Sequence, residues 1–187
     1  MRHQRRGGPA QAALEAGQAR AQPVEHARDD GWISLNGCPP PRPCVGCASL
    51  SEGRGLYVLL VSLDSDIRVG GRELERGTYA YVGSAGGPGG LRGRVCRHAR
   101  RGGKVRWHID RLLARGRAIG AYVLEGTSGP AAERELAARL ARALPEAAPG
   151  FGNTDTGGPS HLFRLDPAAD LGSLLGAGWR YVDLAGP

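Results

Sequence analysis

Apolar and polar positions change rhythm several times along the chain, and each change predicts an element. Leu56 to Leu63 is a nearly unbroken apolar run, the pattern of a strand covered on both faces. Asp64-Ser65-Asp66 turns the chain. Val69-Gly70-Gly71-Arg72 then predicts a tight hairpin, because two central glycines suit the positive φ angles of a primed turn. After a bend at Arg76-Gly77, Thr78 to Gly83 predicts another strand, whose alternation puts Tyr79, Tyr81 and Gly83 on one face. A glycine-rich stretch at 86–90 leads into a helix over 91–101. A second helix is expected over Val105–Ala114, with Val105, Ile109 and Leu112 as its buried stripe. Arg117 to Leu124 predicts a further strand, and Ser128 with Pro130 starts a third helix. Along that helix Glu133, Leu136, Leu140 and Leu144 recur at helical spacing. Residues 145–160 form a long polar loop, and His161–Leu165 predicts an edge strand.

The two ends lack such rhythm. Residues 1 to about 50 carry few large apolar side chains, and the Pro-rich stretch 39–43 cannot continue a helix or a central strand. The expected organisation is a disordered or loosely packed extension over 1–52, a folded domain over 53–166 and a tail over 167–187. Cys38, Cys44 and Cys47 lie in the extension with spacing C-x5-C-x2-C. A structural zinc needs four ligands, usually in two close pairs. Only one pair is present, and Cys96 or His98 would have to complete it, so free thiols are expected. No apolar run approaches the roughly 18 residues of a membrane span, and the N-terminus lacks a signal-peptide apolar core. The expectation is a cytoplasmic protein with no membrane partner. The sequence leaves the oligomeric state open, with a monomer favoured.

Charge changes this picture most between residues 86 and 117. That window holds ten basic residues against one carboxylate, Asp110, so its net charge of +9 exceeds the +7 of the whole chain. Such a stripe is the footprint of a polyanion partner rather than an ordinary solvated face.

The candidate chemistry sits beside the stripe. Tyr57 belongs to Gly55-Leu56-Tyr57 at the start of the first strand, and Tyr81 to Tyr81-Val82-Gly83 near the end of the second. Arg94 and His98 are four apart and share a helix face. Two phenols, a guanidinium and an imidazole gathered where strands end and a basic helix begins suit a phosphate ester. The glycine-rich bend before the helix could hold an anion on free N–H groups. It matches neither a Walker loop nor a dinucleotide fingerprint. Glu133 taken alone is ordinary first-turn helix chemistry.

In this order the elements resemble the GIY-YIG nuclease superfamily, over about Gly55 to Leu165. Gly55-Leu56-Tyr57 matches the first triplet with Leu for Ile, and Tyr81-Val82-Gly83 the second with Val for Ile. Arg94-x-x-x-His98 matches the Arg and His of the first helix, and Glu133 the glutamate of a later one. The chain is similar in particular to a small stand-alone prokaryotic branch, the Uri type. Its YVYVGSA-like, WHID-like and GFG…SHLF-like segments stand here at 79–85, 107–110, 150–152 and 160–163. Relatives often carry cysteines between the last two segments, where this chain has Asn153, Thr156 and none.

The resemblance implies an α+β fold, a small antiparallel sheet flanked by helices, that hydrolyses phosphodiester bonds in DNA with one divalent metal. Glu133 would hold Mg2+ (or Mn2+), Arg94 would stabilise the phosphate, Tyr57 would be the general base and Tyr81 would orient or assist. His98 relays a proton, contacts phosphate or makes a structural hydrogen bond. A phenol with pKa near 10 is a poor base at neutral pH, so this mechanism requires cationic surroundings to lower it. Gly83, Ser84, Arg92, Arg97, Arg100, Arg101, Lys104, Arg106 and His108 are expected to meet nucleic acid. For His108 and His161 the bland alternative is a structural histidine. Two other functions compete: a nucleic-acid-binding module of the same fold without catalysis, and a zinc-dependent regulator using the N-terminal cysteines.

Overall fold

The longest apolar runs become the centre of a sheet. In the computed structural model, which describes residues 45–100, 105–153 and 158–185, β1 (Gly55–Leu63) pairs along its whole length with β4 (Gly77–Ala85). Between them β2 (Ile67–Val69) and β3 (Arg72–Leu74) form a separate hairpin. Its turn residues Gly70 and Gly71 have φ of 58° and 80°, the left-handed pair a primed turn demands. β5 (Arg117–Glu125) joins the free side of β1, β6 (Leu162–Leu165) joins β4, and β7 (Arg180–Asp183) joins β5. The order is β6-β4-β1-β5-β7, antiparallel throughout. β6 is the expected edge strand, and Glu146 bridges to its Phe163.

Alternation sorts the β1 and β4 side chains onto two faces. Tyr57, Leu59, Val61, Tyr79 and Tyr81 pack with Leu91 and Val95 of α1 (Gly90–Ala99) and with Ile109 and Leu112 of α2 (His108–Leu113). Leu56, Val58, Ala80 and Val82 pack with Leu136 and Leu140 of α3 (Pro130–Leu140) and with Leu171 and Leu175 of α4 (Leu171–Leu175). The fold is therefore α+β, a five-stranded antiparallel sheet with helices on both faces. Burial on both sides is why β1 shows no apolar–polar alternation. Each fully buried aliphatic side chain contributes about 1.5–3 kcal/mol.

The second helix is shorter than the expected 105–114. The Asp110 carboxylate accepts the N–H groups of Arg106 at 2.7 Å and Trp107 at 3.0 Å. Those bonds fix the start of the helix at Trp107. Val105 lies ahead of it and is 58% exposed, so it is not part of the buried stripe.

The fold also extends past 53–166 in both directions. Val45–Ser49 form a short 3-10 turn, and Leu50 is fully buried. The N–H groups of Leu91 and Arg92 donate to the carbonyls of Gly53 and Ser51, which satisfies two of the unpaired groups at the start of α1. Cys47 is joined to Cys96 in a disulfide, so Cys47 is not the free thiol expected. Cys38 and Cys44 lie outside the described residues, as does most of the expected extension. At the other end α4, β7 and the residue after it bury Leu171, Leu175, Val182 and Leu184. A Cβ at Gly120 would collide with the Tyr181 ring, which instead lies over that glycine beside Tyr122. All described residues belong to one unit, Pro41–Pro187. Among them no helix is long and apolar enough to cross a membrane.

Candidate active site

Strand register brings the two triplets together. Tyr57 on β1 sits directly across from Gly83 on β4. A Cβ at Gly83 would collide with the Tyr57 ring, so the glycine supplies the space the phenol fills. Gly55 does the same for α1, because a Cβ there would meet the Leu91 side chain and the Leu124 carbonyl. Both glycines thus have a steric reason.

Above this crossing lies a cavity of about 210 Å³. Tyr57, Tyr81, Arg94, His98 and Glu133 all line it, together with Gly83, Ser84 and His108. The phenols come from the sheet, Arg94 and His98 from one face of α1, and Glu133 from the first turn of α3 in the opposite layer. Tyr57, Tyr81 and His98 are buried. The Tyr57 hydroxyl lies 3.0 Å from His98 Nε2.

Burial dominates the electrostatics. It pushes the Tyr57 hydroxyl well above its ordinary value of 10, with help from the neighbouring Tyr81, while Arg94 pulls the other way and loses. Tyr81 is raised too, by burial and then by Glu133, again against Arg94. The lowering that the resemblance required of Tyr57 is therefore not present, because one guanidinium does not offset full desolvation. Burial also lowers His98 from 6.5 to about 4; Asp110 opposes this, and Arg97 and Arg94 reinforce it. At neutral pH the imidazole is neutral and the phenol protonated. Tyr57 therefore donates and Nε2 accepts, which leaves the ring hydrogen on Nδ1.

Three further side chains complete the surroundings: Trp107 and Asp110, given no site role from the sequence, and His161, weighed there as functional or structural. Trp107 has the guanidinium carbons of Arg94 and Arg97 at 4.0 and 4.2 Å from its ring centre, a geometry that fixes both cations. Asp110 accepts the Arg97 fork at 3.1 and 2.8 Å. Burial alone would raise its carboxyl, but Arg97 and the N–H groups of Arg106 and Trp107 outweigh that and hold it below its usual range. His161 is fully buried with Nδ1 3.0 Å from Glu133 Oε1. Neither of its nitrogens makes a well-aligned hydrogen bond among the described residues, so we read a close approach that steadies the carboxylate rather than a formed bond. Periodicity could not find these partners, since Arg97 and Asp110 meet across the break between two helices.

The expected nucleic-acid residues divide. Arg97 and Arg106 join Arg94 and Trp107 around an adjoining depression of about 250 Å³ next to the Gly87-Pro88 turn. Arg100 is exposed. Arg92 is engaged elsewhere, donating to the Leu50 carbonyl at 2.7 Å and pairing with Glu52 at 3.1 Å. Arg101 and Lys104 lie outside the described residues. Glu133 is the single carboxylate among the described residues lining the cavity, and no group of three or more His, Cys, Asp or Glu among them could hold a metal by itself.

The sequence model of one family, described as Domain of unknown function DUF123, matches residues 56–177, more than half of the chain and every residue placed around the cavity. No curated protein and no solved structure matches the chain.

Proposed function

The chain belongs to the DUF123 family, described only as a domain of unknown function, and from the cavity itself we propose that it is a divalent-metal-dependent endonuclease hydrolysing phosphodiester bonds in DNA, of the GIY-YIG type. One observation carries the reading: Tyr57, Tyr81, Arg94, His98 and Glu133, drawn from β1, β4, α1 and α3, converge on one cavity. Packing alone does not call for two buried phenols, an imidazole, a guanidinium and a carboxylate around open space. The adjoining depression lined by Arg94, Arg97 and Arg106 supports a polymeric substrate, because it offers cations to a neighbouring phosphate.

Glu133 fits Mg2+ or Mn2+, which is commonly held through one or two carboxylates and completes its coordination with water and phosphate oxygens; bound there, the ion supplies Lewis-acid polarisation of the scissile phosphate. Arg94 forks onto a non-bridging oxygen and offsets the charge that builds there in the transition state. Tyr57 accepts the proton of the attacking water while passing its own to His98 Nε2, 3.0 Å away. That coupled transfer suits a phenol whose pKa is raised, since no free phenolate has to form. Tyr81, buried beside it, orients the water.

Single-turnover cleavage of labelled duplex, single-stranded, nicked and branched DNA, with and without Mg2+ or Mn2+, tests the proposal. Wild type should cut only with metal. Tyr57→Phe, Arg94→Ala and Glu133→Gln should each lose at least ~100-fold in rate while keeping affinity. Undiminished cleavage by Glu133→Gln and Tyr57→Phe sinks the assignment. Affinity without any metal-dependent cleavage by wild type makes the protein a binding module.

A further inference from the structure

His98 has two ring nitrogens, and the cavity accounts for one. Nε2 takes the Tyr57 hydroxyl. Nδ1 is buried and makes no hydrogen bond among the described residues. Asp110 Oδ1 lies 3.8 Å from it. That is too far for a direct bond, but within the range at which an ionised carboxylate acts on a buried ring through its charge. His98 and Asp110 also line a second cavity, of about 130 Å³, whose wall includes Arg97, Arg100 and Arg117.

Asp110 does not wander. Arg97 forks onto both of its oxygens, and the backbone N–H groups of Arg106 and Trp107 donate to Oδ2. The groups facing His98 are Tyr57 from β1, Arg94 and Arg97 on its own helix, and Trp107 and Asp110 at the start of α2.

The geometry points to Asp110 as a positioning residue: its fixed carboxylate, 3.8 Å from Nδ1, keeps the His98 hydrogen on that nitrogen, leaves Nε2 bare for the Tyr57 proton, and stabilises the imidazolium that forms. This rests on the endonuclease reading above. As the attacking oxygen bonds to phosphorus, its O–H breaks towards Tyr57 Oη and the Tyr57 O–H breaks towards Nε2. The imidazolium then carries a hydrogen on each nitrogen, with the Asp110 charge behind it. When the P–O bond to the leaving oxygen has broken, the proton returns from Nε2 to Tyr57, and Tyr57 gives its own to the leaving oxygen or to solvent.

Two variants separate this role from plain support. Asp110→Asn and Arg97→Gln both break the Arg97–Asp110 pair, so a structural role predicts like effects. The relay predicts unequal rate losses, because Asp110 favours the imidazolium and Arg97 disfavours it. With single-turnover cleavage at saturating enzyme and NMR titration of His98, Asp110→Asn should slow cleavage at least ~100-fold, the scale on which loss of an orienting carboxylate acts, and move His98 to lower pH. Arg97→Gln should lose less rate and move His98 to higher pH. Equal rate losses in the two variants overturn the inference, as does Asp110→Asn cleaving at the wild-type rate. If Asp110→Asn fails to fold, Arg97→Gln decides: a rate loss below ~10-fold with the pair broken supports the relay, and a loss of ~100-fold or more overturns it. Absence of metal-dependent cleavage in wild type is a separate result. It refutes the endonuclease reading and takes this inference with it.

Discussion

Protonating His98 should cost the protein stability, in a pH window that the structure defines. The ring is 4% exposed, accepts the Tyr57 hydroxyl on Nε2 and has Arg94 and Arg97 close by. Burial and those cations hold the folded-state value at about 4, against 6.5 for an ordinary histidine. Between these values the unfolded chain binds a proton that the folded chain refuses, so stability falls as pH falls. The contribution is complete above pH 6.5. Each pH unit below that removes up to ~1.4 kcal/mol, and the whole window about 3 kcal/mol; below about 4 this group adds no further loss. Against a typical total of about 5–15 kcal/mol the effect is large. Urea unfolding at pH 7, 6, 5 and 4.5, for wild type and His98→Gln, measures it. The glutamine can still meet the Tyr57 hydroxyl but does not titrate, so the difference between the two curves isolates the imidazole. The wild-type curve should drop more steeply between pH 6.5 and 4.5. Parallel curves would falsify the claim that His98 is held neutral by its surroundings.

Two further outcomes follow from how particular side chains are engaged. Leu50→Ala should destabilise by about 2–5 kcal/mol in urea unfolding, because Leu50 is fully buried; a loss below about 1 kcal/mol would show that the segment before β1 does not pack as described. If the basic depression holds DNA, Arg106→Ala should lower the slope of log affinity against log salt by about 1. Arg92→Ala should leave that slope unchanged, since its guanidinium is tied to Leu50 and Glu52, and equal slopes for the two variants would remove the distinction.

Long, strongly patterned stretches were legible in the sequence. β1, β4, β5, α1 and α3 appear within a few residues of where periodicity puts them, because each has a continuous apolar face. The GG turn between β2 and β3 was legible for a local steric reason. Misplacement occurs where a distant partner decides the outcome. Val105 continues a helical pattern on paper, yet Asp110 captures the backbone just ahead of Trp107 and sets the helix start. Leu50, α4 and β7 carry too few apolar residues to show a period, and they are ordered by surfaces the sheet presents. In the cavity, Tyr57, Tyr81, Arg94, His98 and Glu133 could be named from short motifs. The contacts of Asp110, Trp107 and His161 could not, since they exist only once α1, α2 and the approach to β6 meet. The direction of the Tyr57 shift was likewise invisible, because it depends on how much water the fold removes.

The pairing of Tyr57 with Gly83 bears on how similar sequences should be sorted. The glycines of the two triplets encode room: one lets a phenol lie over bare backbone, the other lets α1 close on β1. Neither encodes charge. A chain could keep both triplets, lose Arg94 and Glu133, and still build the same hollow with nothing in it to act on a phosphodiester. Conversely, a chain with every charged group intact but alanine at the Gly83 position must displace its first phenol. The triplets are thus a test for the mould, and the scattered single residues Arg94, His98 and Glu133 are the test for the proposed catalysis. Under the endonuclease proposal, ranking sequences by triplet score alone merges chains that keep the charged groups with hollow copies, whereas checking those three positions first separates them.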